Sequence, residues 1–378
     1  MEIRIVETKK NVIHGWYFPF SSGRRECNSE RILINPYNGC TVNCPMCYTR
    51  AYGGYFEEWN KKGVITIFKN IHIKLREELS KLYYASCGYF CPVTDPFQYP
   101  IENYYHLSEL CMDVFLELDL PIEFITKNGS NIPDRVFKKL SEHKYNHCFC
   151  QYTILTLDKE ISRILSPGGS TPDEQFKAVR RSKDYGLYVV VRIDPIIPGI
   201  NDSKIILSEL VNTAKDNGAD HIIASICDLN KQSMEKMLPI IENFGLKKLW
   251  ESLYIERIGM SYHTCLNYRR EIFKTLREIC KNNGLSFALC MEFYKIGRKY
   301  KGMNEEFMTS KVCEGKIVPV YFRKSLKENF KPIIGCDGDC LSCAKGISYP
   351  ICGKSLLAEA GSMTFQKYLK LKPNLHLE

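Results

Sequence analysis

Asn35-Pro36-Tyr37-Asn38-Gly39-Cys40-Thr41-Val42-Asn43-Cys44-Pro45-Met46-Cys47-Tyr48 carries three cysteines at the spacing C-x3-C-x2-C, directly after a short β-branched run. Three soft thiolates within one loop suit a cubane iron–sulfur cluster, with zinc as the alternative. A structural metal site is closed by four ligands. A loop supplying only three leaves one iron open to chelate an amine and a carboxylate and to pass an electron.

Working outward from this loop, residues 31–230 alternate β-branched runs with amphipathic stretches. Strands are expected at 31–35, 83–87, 122–125, 148–155, 187–193 and 221–226. Helical patterns lie between them at 71–82, 104–118, 133–140 and 172–184, the last capped by Thr171 and stopped by Gly186. A further helix is expected from about 201–202 to 217–218. Short βα connections of this kind imply a parallel sheet closed, or nearly closed, into a barrel. In such barrels chemistry gathers where strands end. Cys40, Thr94, Asp95, Lys127, Thr153, Arg192 and Asp194 all fall at or near expected strand ends. Residues 231–300 read as mostly helical, with one more strand at 285–289.

Composition narrows the class. The 378 residues are 44% hydrophobic and 25% charged, as in an ordinary globular protein. No apolar run is long enough to cross a membrane, and the start MEIRIVETKK has no signal-peptide core, so the expected location is cytoplasmic. The 52 basic and 43 acidic residues leave a net charge of +9, which permits a nucleic-acid partner, although the charges are scattered along the chain. The 18 cysteines, in a chain with its own core, point to metal rather than to a disulfide framework.

The loop and its surroundings resemble the radical S-adenosylmethionine superfamily, and within it the spore photoproduct lyase-like branch. Beyond NPYNGCTVNCPMCYTRAY, the similar segments are TDPFQYPIE at 94–102, ITKN at 125–128, TILTLD at 153–158, LSPGGSTPDEQF at 165–176 and VRIDPIIPGIND at 191–202. The resemblance implies an α/β fold: a partial (β/α)6 TIM-type barrel that binds S-adenosylmethionine beside a [4Fe–4S] cluster on Cys40, Cys44 and Cys47. It implies cleavage of the cofactor to a 5′-deoxyadenosyl radical and hydrogen abstraction from substrate, with a flavodoxin or ferredoxin as electron donor. Lys127 would meet the methionine carboxylate. Thr94 and Thr153 would bond the methionine or ribose portion, and Tyr48 would line the adenosine side. Arg192 and Asp194 complete the candidate cofactor set; the bland reading of this pair is a strand-end ion pair and a turn before Pro195. The lyase that names the branch returns a hydrogen atom from a cysteine three residues before the aspartate matching Asp95. Pro92 occupies that place here, so Cys91, one residue earlier, is the candidate donor, with a packed thiol as the other reading.

Near the C-terminus, Cys336, Cys340 and Cys343 repeat the spacing, with Cys352 and Cys313 available as a fourth ligand and Gly335, Gly338, Gly346 and Gly353 for tight turns. Four thiolates favour a second [4Fe–4S] cluster over zinc. The domain reading is an N-terminal segment 1–30, a barrel 31–300 and a Cys-rich extension 301–378. The expected function is a radical enzyme acting on a macromolecule, either nucleic acid or peptide. The alternative is a non-enzymatic iron–sulfur or zinc scaffold.

Overall fold

The structure is a computed structural model and describes residues 2–15, 30–340, 343, 350–358 and 363–373. Much of the expected 1–30 segment, and Gly346, lie outside the described residues.

The core is a sheet of seven strands: β1 (Arg31–Ile34), β2 (Cys87–Phe90), β3 (Ile122–Thr126), β4 (Phe149–Thr153), β5 (Tyr188–Ile196), β6 (His221–Ile226) and β7 (Ser286–Leu289). They lie side by side in chain order, all parallel, without a switch point. A sheet wound in one direction curls toward a barrel instead of forming an open doubly wound layer. β1 and β7 are its two edges, so the barrel is partial. It has seven strands where the resemblance implied six, because residues 286–289 join the same sheet.

Local sequence explains most of the helices. Pro172–Asp184 opens with a complete capping box, in which Thr171 and Glu174 satisfy each other's backbone N–H groups, and with Pro172 in the first turn. Lys204–Asp216 starts from Ser203, which caps the Ile206 N–H, slightly later than expected. The single helix expected at 104–118 is two, Ile101–Tyr105 and Leu107–Glu117, broken where His106 takes a left-handed conformation at φ 51°.

The second strand corrects the expectation at 83–87. It forms four residues later because Gly88 admits the ring of Phe115, which a β-carbon would meet at 2.9 Å. Tyr84–Ala85 pairs instead with Tyr321–Phe322 of the C-terminal extension. Four more pairings went unseen in the sequence. Glu2–Val6 lies parallel to Val64–Phe68, which also pairs with Tyr37–Asn38. Hairpins form at Glu256–Ile258 with Ser261–His263, and at Phe293–Ile296 with Lys299–Gly302.

The extension runs across the N-terminal ends of the strands. Arg31 at the start of β1 binds Glu314, and His221 at the start of β6 lies 3.1 Å from the Cys313 carbonyl. His147, just before β4, lies 2.6 Å from the Tyr321 hydroxyl, and Phe287 on β7 exchanges hydrogen bonds with Thr309. The extension is therefore the floor of the barrel, and the opposite ends of the strands form its mouth. Among the described residues no helix is long and apolar enough to cross a membrane.

Candidate active site at the barrel mouth

β1 delivers the cysteine loop to the mouth, and neighbours clamp it by its backbone. Gly39 adopts φ 94° and lies so close to Trp59 that a β-carbon would stand 2.8 Å from the ring. Trp59 Nε1 donates to the Cys40 carbonyl at 3.2 Å. Arg50 is buried; it donates to the Cys44 carbonyl through Nε at 3.1 Å and Nη2 at 2.7 Å, to Asn43 Oδ1 at 2.8 Å, and stacks on Trp59. Ser233 Oγ donates to the Cys47 carbonyl at 2.7 Å. From the far side Gly168 N–H donates to the Val42 carbonyl at 3.1 Å, and a β-carbon there would lie 2.1 Å from the Thr41 carbonyl.

The loop's thiols stand in a cationic setting. Burial pushes the thiols of Cys40 and Cys44 up, and for Cys44 the nearby Lys127 and Arg50 pull the other way. Among the described residues no three His, Cys, Asp or Glu side chains are gathered as a ready single-ion site. What fits a cluster is the donor set: three thiols on one clamped loop beside two cations that would offset thiolate charge.

A recess of about 290 Å3 opens beside the loop, lined by Lys127, Thr153, Leu155, Ser166, Ser170 and Gln175 among others. Ser166 joins the two, since its hydroxyl lies 3.6 Å from Cys44 Sγ. Buried Asp95 fixes the lysine from below by accepting the Lys127 N–H at 2.7 Å and the Thr126 hydroxyl at 2.9 Å. Thr94, one residue earlier, buries its hydroxyl beside the Cys91 thiol. On the next strand, beside Thr153, Arg192 donates to Gln151 Oε1 at 2.9 Å and pairs with Asp194, which also accepts the Ser225 hydroxyl. Arg192 Nε is buried without a partner. Burial alone would raise the Asp194 carboxyl; Arg192 and Ser225 outweigh it and hold the group below the usual carboxylate range.

No family model matches the chain. It is 28% identical, over an alignment of 390 positions, to the radical SAM Nalpha-GlyT isomerase of Pseudomonas phage M6, covering 98% of this chain and 78% of that protein. The chain is a radical S-adenosylmethionine enzyme. Its fold is that of spore photoproduct lyase. A double mutant of that lyase with bound S-adenosylmethionine and dinucleoside spore photoproduct superposes with a TM-score of 0.53 at 14% identity, over 76% of this chain and 81% of the lyase. The lyase complexed with dinucleoside spore photoproduct gives 0.50 at 13% identity, with the same coverage. Enzymes of this family work with S-adenosylmethionine and a [4Fe–4S] cluster, and they need a reductant and a substrate. The scaffold alternative is thereby set aside.

In this radical S-adenosylmethionine enzyme the structure brings Cys40, Cys44, Cys47 and Lys127 to the mouth, with Thr153 on β4 directly beside Arg192 on β5 and Asp194 two residues further along. Tyr48 bridges toward the second strand's loop, its hydroxyl donating to the Pro92 carbonyl at 2.5 Å. Cys91 is placed differently. It is fully buried at φ 57°, and burial drives its thiol far up, with Thr94, Asp95, Glu102 and Ser108 among its neighbours. Arg50, Ser166 and Ser233 were not singled out from the sequence; the LSPGGS string held the only signal, for Ser166. At the floor, Cys336, Cys340, Cys343 and Cys352 line one pocket of about 270 Å3. Cys313 does not line it; its carbonyl faces His221 instead.

Proposed function

We propose that Cys40, Cys44 and Cys47 hold the [4Fe–4S] cluster, that S-adenosylmethionine occupies the recess at Lys127 and Thr153, and that the substrate is a nucleic acid. When bound and reduced, the cluster supplies the electron that cleaves the cofactor to methionine and a 5′-deoxyadenosyl radical. The residues do the rest. Lys127 offers a cation to a carboxylate, and the buried Thr94 hydroxyl, two residues after Pro92, offers a polar group to the cofactor. Arg192, braced by Gln151 and Asp194, offers its free Nε–H beside Thr153. The electron donor is a flavodoxin- or ferredoxin-type protein.

The observation that favours nucleic acid over peptide is the hairpin Phe293–Ile296 with Lys299–Gly302. It leaves the mouth end of β7, and its tip exposes Lys295, Arg298 and Lys299 around the apolar Ile296. Cations track phosphates, and an apolar residue among them suits insertion beside a base. The dinucleoside bound by spore photoproduct lyase supports the same substrate class. From the relative spanning nearly the whole chain we carry over the reaction class, an isomerisation in which the abstracted hydrogen returns to the product.

Binding of duplex and single-stranded DNA, followed by fluorescence anisotropy across salt, tests the substrate class. Affinity should fall steeply with salt, and Lys295→Ala/Arg298→Ala/Lys299→Ala should flatten the log–log slope by about 2 to 3. Salt-independent binding rejects the nucleic-acid reading. We further propose that Cys336, Cys340, Cys343 and Cys352 hold a second [4Fe–4S] cluster, with zinc as the alternative occupant.

A further inference from the structure

The two cysteine sites lie at opposite ends of the same strand. β1 ends at Ile34 and leads into the Cys40 loop; its other end begins at Arg31, and Glu30, just before it, donates its N–H to the Gly338 carbonyl at 3.0 Å. Gly338 sits inside the Cys336–Cys340 turn. The barrel wall separates the sites, β1 alone spanning roughly 10 Å at a rise of about 3.3 Å per residue, with residues 35–39 continuing to the Cys40 loop. A group held by the second site is therefore remote from the recess at Lys127 and from the Arg192–Asp194 pair.

The second site grips the floor at close quarters. Gly338 presses so tightly on residues 318–319 that a β-carbon would lie 2.1 Å from the Val318 carbonyl. Val320 N–H points to Cys336 Sγ at 3.4 Å, and Ile333 N–H donates to the Val320 carbonyl at 3.0 Å. Four residues before Val318, Glu314 reaches Arg31 inside the barrel. The extension that makes these contacts has little regular structure of its own: its strands, Tyr321–Phe322 and Lys331–Pro332, are two residues each. Segments too small to build a core are commonly stapled by metal. Here four cysteines line a pocket whose remaining wall includes Pro350, Ile351, Leu357 and Ala358, with Cys340 and Cys352 buried.

Resting on the reading that these four cysteines bind metal, we propose that the site is structural: a closed four-thiolate centre that pins the extension as the floor of the barrel and takes no part in substrate binding or radical chemistry.

Two variants test this. Cys40→Ala/Cys44→Ala/Cys47→Ala isolates the floor site and should retain about four iron atoms, or one zinc, per chain. If it retains neither, the metal reading fails and the proposal falls with it. Cys340→Ser/Cys352→Ser should lose that metal, melt at least about 5 °C lower, and be cut by protease within residues 308–340 at least tenfold faster. Its yield of 5′-deoxyadenosine per remaining mouth cluster should stay within twofold of the parent. Loss of the metal with unchanged melting and cleavage overturns the structural role. Native melting with abolished 5′-deoxyadenosine formation also overturns it, and assigns the site to electron transfer.

Discussion

Asp95 Oδ2 accepts the backbone N–H of Lys127 at 2.7 Å, tying the residue that follows β3 to the loop that follows β2. The same carboxylate accepts the Thr126 hydroxyl and the Phe97 N–H, so a single buried group shapes two strand-end loops. Lys127 is the residue that would meet the cofactor, and Asp95 is a positioning residue behind it. Lys127→Met should weaken S-adenosylmethionine binding about 10- to 100-fold, the worth of a charge-assisted hydrogen bond. Asp95→Asn should raise the KM for S-adenosylmethionine about tenfold with a smaller change in kcat. The release of 5′-deoxyadenosine against cofactor concentration measures both. An Asp95→Asn enzyme with unchanged KM would dissociate the two residues.

Gly168 has no room for a side chain, because a β-carbon would stand 2.1 Å from the Thr41 carbonyl, a backbone atom that cannot swing aside. Gly168→Ala must push the cysteine loop away from the 166–170 turn. We expect reconstituted iron at the mouth to fall by at least half, with the fold retained by circular dichroism. Gly53→Ala is the control nearest in sequence to the loop: nothing lies within 4 Å of its β-carbon position. Iron content equal to the parent in Gly168→Ala would show that this contact does not set the loop.

Much of this site could be read before the fold was known, and the reason is local. The thiol spacing, the capping box at Thr171 and the βα rhythm are written in neighbouring residues. What escaped depends on distant partners. Arg50 reads as a surface cation until Trp59 and the Cys44 carbonyl enclose it. Tyr84–Ala85 resembles the start of a barrel strand until the extension claims it. Cys91 looks suited to the mouth from its position alone, but a left-handed backbone places it in the packed layer. The hairpin at Phe293–Gly302 was hidden in a stretch whose charge pattern reads as helix.

Arg31 is completely enclosed between two carboxylates, Glu123 at 2.6 Å and Glu314 from the floor. Burial pushes the Glu123 carboxyl well up, Glu314 adds to the effect, and Arg31 opposes it. One cation facing two buried acids leaves an excess negative charge, so the partners are unequal in value. Arg31→Met should cost about 3–5 kcal/mol, because it strands both acids. Glu314→Gln should cost no more than about 1 kcal/mol, because it removes the surplus charge and keeps a polar partner. Denaturant unfolding of the two variants measures the contrast. Equal losses would mean that the triad acts through packing and not through charge.

The floor and the mouth should respond oppositely to acid. His221 is fully buried between Ser286 Oγ and the Cys313 carbonyl; burial, only partly offset by that carbonyl, lowers its pKa to about 4. Burial and then Lys316 lower His147, beside Tyr321, to about 4 as well. Unfolded histidine titrates near 6.5, so between those values the unfolded state binds more protons. The stability these residues contribute is complete above about pH 6.5 and is lost as pH falls toward 4, on the order of 3 kcal/mol for His221 and less for the more exposed His147. At the mouth, burial raises the carboxyls of Glu102 and Glu292 to about 7, and there the sign reverses. The folded state holds those protons as pH falls from 7 to the usual carboxylate range, so the mouth tightens. Hydrogen exchange at pH 5 and 7.5, corrected for intrinsic rates, should therefore show faster opening at 309–334 under acid, relative to 98–110 and 289–304. Uniform acceleration of all three segments would refute the division, whereas a change confined to the floor ties the acid response to His147 and His221.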